Sequence, residues 1–386
     1  MLLFEGLLSK MYYAEMRSNG SVKKGEEVPC YMEYYVGGRP AIQSGAGVKV
    51  SGASTSVYPQ KSMKLIFRAG YGRSSLDYPF FDDSEVSSFR SILLRNGGQD
   101  AYYAHIRDTF VSKMCLGMNL DVAVCRPVIV YMNGQYRGIY DLKENMNEDF
   151  LVNHYGVSRS RVEIARRNGW MRAGTREQWD EMLNMCKTLD FSKKENFEKL
   201  KKYVDTDAIM DYLIARTYFY DYDMYNQKYW HTNDNKVRWR AVLFDSDYAL
   251  YGNNPSANIL YTYFNKNGVV SPHGYVTQMD IYCACNQNAE WREQFIIRYI
   301  KTVKTRFNAE RALSVFDSLV ETYRPEMPRQ ISKWHMPNSM EKWQTELAGL
   351  RDCISKRPEK ALKNLKSFYG LSDSKYAELE KKAMGN

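Results

Sequence analysis

The sequence predicts an α+β protein of two lobes, a sheet-rich part over residues 1–144 and a mainly helical part over 145–386. Two observations predict it. Apolar residues alternate with a period of two in the first part and recur every three or four residues in the second. The turn chemistry changes with them, from Gly-marked hairpins to Pro-marked joints.

In the first part, Val28–Val36 reads as a strand, 45–52 as a strand flanked by glycines, and 62–67 as another. Residues 127–142 read as a hairpin closed by Asn133-Gly134, a dipeptide that accepts the left-handed backbone of a two-residue turn. One helix, 101–118, interrupts the strands, with Ile106, Phe110 and Met114 on one face. Beyond 145, helices are expected over 176–188, 194–204 and 206–220. Four more follow over 289–306, 309–323, 338–356 and 358–367, with Pro325-Glu-Met-Pro328 and Arg357-Pro358 as joints.

At 386 residues the chain is long enough for one large domain or two packed lobes. Its 54 basic and 45 acidic residues leave a formal charge of +9, which favours anionic partners. No basic run interleaved with aromatics forms a nucleic-acid stripe, so nucleic acid is not the expected partner. The seven cysteines include no Cys-x-x-Cys pair, which argues against a zinc knuckle, and they read as buried small hydrophobes. No stretch approaches the 18 apolar residues of a membrane span. The first eight residues lack a basic start and carry Glu5, a poor signal peptide. On that reading the protein is not exported or its leader lies outside this chain, and its location stays open.

The chemistry concentrates in Asp221-Tyr-Asp-Met-Tyr-Asn226 and Phe244-Asp-Ser-Asp247. Between them, Lys228-Tyr-Trp-His-Thr232 and 237–244 read as two strands joined by the turn Asn233-Asp-Asn-Lys236. Such a hairpin brings the two acidic segments together. An acid, an amide five residues on, and a later carboxylate are the parts of a phosphoryl-transfer site. In protein kinases the first Asp accepts the acceptor hydroxyl's proton, and the Asn and the later Asp hold Mg²⁺. The same residues also suit a polar turn beside a strand-terminal carboxylate pair.

Bound ATP would need cations from the sheet-rich part. Lys61 and Lys64, in Pro59-Gln-Lys-Ser-Met-Lys64, supply two on opposite faces of a strand. Asp108, on the 101–118 helix, is the acid available to hold such a lysine, although a surface ion pair would look the same. The glycines of 45–52 would also let backbone approach phosphate, though the segment matches no P-loop. Leu142-Lys-Glu144 falls where a hinge would offer backbone to adenine. Of the five histidines, only His231 lies near the acidic residues, and it reads as structural.

Several motifs in order resemble one family. Pro59-Gln-Lys-Ser62, Tyr71-Gly with Tyr78-Pro-Phe-Phe81, Leu94-Arg-Asn-Gly97 with Asp100 and Arg107-Asp108, and Asn133-Gly-Gln-Tyr-Arg-Gly-Ile-Tyr140 with Leu142-x-Glu144 are similar to segments of the spore coat protein H (CotH) kinase family. The likeness runs over roughly residues 28–370. It implies an atypical protein-kinase-like fold that uses ATP and Mg²⁺, or Mn²⁺, to phosphorylate hydroxyl side chains of a protein substrate. On that resemblance Asp221 is the catalytic base and Asn226, Asp245 and Asp247 are metal ligands. Lys61 or Lys64 then meets phosphates, and Asp108 and Glu144 are the further residues read into the nucleotide site. The chain departs from the family in placing its aromatic-Gly late, at Tyr251-Gly252, and in offering Asp223 as a competing base. Two other readings stay open: a catalytically inactive structural or coat-assembly protein, and a metal-dependent phosphohydrolase.

Overall fold

The computed structural model describes residues 2–5, 26–166, 169–221, 223, 226–265, 270–271, 274–275 and 278–385. Its contacts form two compact units that do not follow a single cut at 144. One comprises residues 1–110, 123–156 and 317–347, and the other 111–122, 157–316 and 348–386.

The first unit is built on a curled sheet. The strands Leu2–Glu5, Val28–Val36, Arg39–Val50, Met63–Ile66, Ser91–Arg95, Gln135–Glu144 and Cys125–Met132 are hydrogen-bonded in that order, and the last pairs back onto the first. All pairings are antiparallel except that closing one. Alternation explains the burial: Val28, Cys30, Met32 and Tyr34 turn inward while Pro29 and Tyr31 face solvent. Val48, Leu65 and Ile92 lie in one cross-strand row of the core. The expected Asn133-Gly134 turn is present with both residues left-handed (φ 50° and 74°).

Gly138 shows why one position in this unit must be glycine. Its φ is 104°, and a Cβ there would lie 2.3 Å from Gln330 Oε1. Gln330, on the helix Met327–Trp334, accepts from the Ile139 amide at 2.9 Å and donates to Gln60 Oε1 at 2.7 Å. Gln60 in turn donates to the Ile139 carbonyl. The Pro-Gln before Lys61 is therefore fixed to the hairpin.

The helix expected over 101–118 is shorter, Arg107–Cys115. Asp100 is the reason. Its carboxylate accepts from the amides of Ala104, Ile106 and Arg107, and this locks a 3₁₀ turn, Gly98–Tyr102, in front of the helix. The chain then breaks at His105, whose φ is 67°.

The second unit is more than a helical part with one hairpin. Its strands Trp170–Ala173, Val162–Arg166, Lys228–Thr232, Arg240–Leu243 and Asp121–Val122 form a five-stranded sheet in that order, the last pair parallel. Trp230 Nε1 and Arg240 both donate to Asp121, which ties that distant segment to the hairpin. His231 is structural as expected: it stacks on Trp239 at 3.8 Å and bonds Glu163 Oε2 at 2.8 Å.

The joint expected at Arg357-Pro358 does not exist, because one helix runs from Met340 to Phe368. Beside the proline, Arg357 is fully buried and donates to the carbonyls of Thr217, Tyr218, Pro255 and Ala257, which packs this part of the helix against those segments. The helices Ala289–Thr305 and Ala309–Tyr323 match expectation. Among the described residues no helix is long and apolar enough to cross a membrane.

Candidate active site

The acidic segment is delivered by the helix Thr206–Tyr218, which starts at Asp205 with its side chain accepting from the Ala208 amide. The helix ends with Asp221 N–H bonded to the Arg216 carbonyl at 3.0 Å and Tyr220 N–H to that of Thr217 at 3.3 Å. These are the two bonds of a Schellman turn, which usually places glycine where Tyr220 stands at φ 45°. A non-glycine residue there costs about 1 kcal/mol, and strain of this kind concentrates at functional sites.

Asp221 emerges from that turn buried. Arg216, also buried, donates Nη1 to Asp221 Oδ2, Nη2 to the Asp223 carbonyl at 2.7 Å and Nε to Tyr263 Oη at 3.1 Å. Asp221 Oδ1 has no hydrogen-bond partner among the described residues. Burial raises the Asp221 carboxyl above its usual range and the charge of Asp245 adds to this. Arg216 and the Ser246 hydroxyl favour its charged form. Half-buried Asp223 is pushed up to about 6, first by burial and then by Asp245.

The hairpin closes the site as the sequence implied. Asn226 Nδ2 donates to Asp245 Oδ2. The next residue, Gln227, is clamped: its Oε1 accepts from Tyr229 Oη at 2.7 Å and from Tyr282 Oη at 2.8 Å. Lys228, which opens the strand after Gln227, places Nζ 4.4 Å from the ring centroid of Phe244, the residue just before Asp245. Asp245 is left-handed (φ 61°), which turns its carboxylate toward Asn226. Asp247 follows, buried. Leu250 N–H then bonds the Phe219 carbonyl at 2.7 Å, so the segment after the acidic pair is tied to the end of the Thr206–Tyr218 helix. Asp221, Asp223, Asn226 and Asp245 thus form one cluster.

Among the described residues no group of three or more His, Cys, Asp or Glu side chains is arranged to hold a metal. Asn226 and Asp245 bring an amide and a carboxylate together, and Asp247 follows two residues on. Oxygen donors of these types suit Mg²⁺ or Mn²⁺ when phosphates supply further ligands. Burial is the first cause of the raised carboxyls of Asp221 and Asp223, and the negative charge of Asp245 adds to it, a repulsion that a bound cation would relieve.

The first unit corrects three expectations. Asp108 is held by Lys143 at 2.8 Å and Arg95 at 3.3 Å, partners other than the two lysines singled out for it. The backbone of 142–144 is not open to adenine. Those residues continue the strand Gln135–Glu144 and pair with Ile92–Leu94, and the Glu144 amide bonds the Val124 carbonyl. The Glu144 side chain faces His154 at 3.0 Å. Finally, the glycines of 45–52 are needed for packing. A Cβ on Gly45 would meet the Tyr71 carbonyl at 2.2 Å, and one on Gly47 would strike Glu27 and Tyr71.

Lys61 donates to the Ser56 carbonyl at 2.9 Å, and half-buried Lys64 lies opposite Lys49 and Leu93. Sequence reading missed Arg216, Tyr263, Gln227 and Lys143. Lys143 stood inside the Leu142-x-Glu144 motif as its variable residue. The others carry no local signal, because each acts through a fold contact.

No curated protein matches the chain significantly. Residues 48–360, well over half of the chain and including both acidic segments, match the family described as CotH kinase protein. The curled antiparallel sheet and the helix-rich remainder agree with the kinase-like fold expected of that match. The chain belongs to the CotH kinase family, and is protein-kinase-like.

Proposed function

We propose that the protein transfers the γ-phosphate of Mg²⁺-ATP to hydroxyl side chains of protein substrates. The observation that carries this reading is the state of Asp221, with Oδ2 held by Arg216 and Oδ1 buried without a hydrogen-bond partner among the described residues. A buried acceptor of this kind suits an incoming hydroxyl and its proton. Asp245, Asp247 and Asn226 are assigned to the metal, which when bound neutralises phosphate charge. Lys61 and Lys64 are assigned to the phosphates. Asp108 and Glu144 enter as residues that order the first unit through Lys143 and His154.

The test is transfer of labelled γ-phosphate with Mg²⁺ or Mn²⁺ to the protein itself and to a generic acidic protein. Wild type, Asp221→Asn and Asp245→Ala run side by side. Label from wild type alone is the expected result. No label together with no thermal shift by metal-ATP overturns the reading and favours a structural or assembly role. Free phosphate released without labelled protein points to a phosphohydrolase.

A further inference from the structure

Arg216 reaches Asp221 by two routes that no other described residue combines. Its carbonyl accepts the Asp221 amide at 3.0 Å, and its guanidinium donates to the Asp221 carboxylate. Both ends of Asp221 are therefore referred to one residue of a rigid helix. The remaining guanidinium donors fix the arginine itself. Nη2 takes the Asp223 carbonyl at 2.7 Å, and Nε takes Tyr263 Oη at 3.1 Å from the helix Leu260–Tyr263. Tyr263 is fully buried, and Tyr212 lies beneath the guanidinium with its ring centroid 5.7 Å from Cζ.

A planar donor fork held at three points has little freedom to rotate, so the carboxylate it holds has little either. A buried ion pair is weak evidence of stabilisation, since desolvation offsets much of its attraction. Its geometry here does something else: it commits Oδ2 to Arg216 and leaves the buried Oδ1 without a hydrogen-bond partner among the described residues. Arg357 is a useful comparison. It is equally buried and bonds the carbonyls of Thr217 and Tyr218 in the same helix end, but none of its hydrogen bonds goes to Asp221.

Resting on the kinase reading, we infer that Arg216, locked by Tyr263, is the positioning residue that aims Asp221 Oδ1 at the acceptor hydroxyl. It touches neither nucleotide nor substrate. A reacting group displaced by about 1 Å loses on the order of a hundredfold in rate.

The test compares Arg216→Lys, Tyr263→Phe and Arg357→Lys with wild type and Asp221→Asn. Steady-state transfer of labelled γ-phosphate is measured together with thermal unfolding and metal-ATP affinity. Arg216→Lys keeps the charge but loses the fork, so kcat is expected to fall about a hundredfold with KM within about threefold. Tyr263→Phe removes one hydroxyl from a buried ring and serves if Arg216→Lys does not fold; its kcat is expected to fall about tenfold at a near-native midpoint. Arg357→Lys is expected to lower the unfolding midpoint and to lack that selective loss of kcat in the folded fraction. Wild-type kcat in both Arg216→Lys and Tyr263→Phe overturns this inference alone. So does a loss in step with KM or with unfolded fraction. Absence of transfer from wild type overturns the kinase reading and this inference with it.

Discussion

Asn226 donates its side-chain amide directly to the carboxylate of Asp245, although 19 residues separate them in the chain. The contact exists because two short strands return the backbone to its starting end, with Lys228 opposite Val242. It joins the two acidic segments into one cluster of oxygens.

Replacing Asp245 separates charge from backbone geometry. Its φ of 61° suits Asn but strains Ala. Asp245→Asn is expected to fold as wild type and lose at least about a hundredfold in phosphotransfer, the scale of losing one main electrostatic contact to the transition state. Asp245→Ala is expected to lose as much activity and, in addition, about 1 kcal/mol of stability. Urea unfolding and label transfer on the same preparations check both.

Asp141 sets one pH dependence of stability. Burial pushes its carboxyl up to about 6, and the Tyr323 hydroxyl, which donates to it, opposes that rise. Because the folded value lies above the ordinary 3.8, the folded state binds the extra proton. The stabilisation is therefore full below about 4 and is lost as pH rises through about 6, about 3 kcal/mol in all. Asp141→Asn is expected to lack that slope and to unfold above wild type at pH 7–8, as read by urea midpoints from pH 4 to 8.

His105 acts in the opposite direction. Neither ring nitrogen has a hydrogen-bond partner among the described residues, and burial lowers its pKa to about 4. The unfolded chain therefore binds the extra proton, so stability is full above the ordinary 6.5 and is lost as pH falls through about 4. Over pH 4–6 this slope offsets that of Asp141. His105→Asn, which tolerates the φ of 67°, is expected to remove the acid-side loss and leave the Asp141 slope exposed. Midpoints of this variant that still fall toward pH 4 would refute the assignment.

Gly138→Ala is expected to cost at least about 3 kcal/mol, since both the backbone at φ 104° and the 2.3 Å approach of Gln330 forbid a Cβ. Chemical denaturation at pH 7 measures it. A cost under about 1 kcal/mol would mean that Gln330 moves aside readily.

What the sequence determined by itself were the features written in short range. Period-two alternation marked Val28–Val36, Asn133-Gly134 marked the turn of the 127–142 hairpin, and the hairpin after Asn226 announced that Asn226 and Asp245 would meet. Each depends on neighbours a few residues apart, so local pattern suffices. The tertiary structure decided the rest. Asp100 shortened the helix that begins at Arg107, and buried Arg357 found carbonyls outside its own helix, which runs on through Pro358. Asp108 found Lys143 on the strand Gln135–Glu144, a lysine the sequence reading had not singled out, and Arg216 gathered Asp221, Asp223 and Tyr263. These outcomes turn on which buried polar group finds which partner. Leaving such a group unsatisfied costs about 1–3 kcal/mol, enough to override local propensity, and the partner is chosen by the fold and not by spacing along the chain.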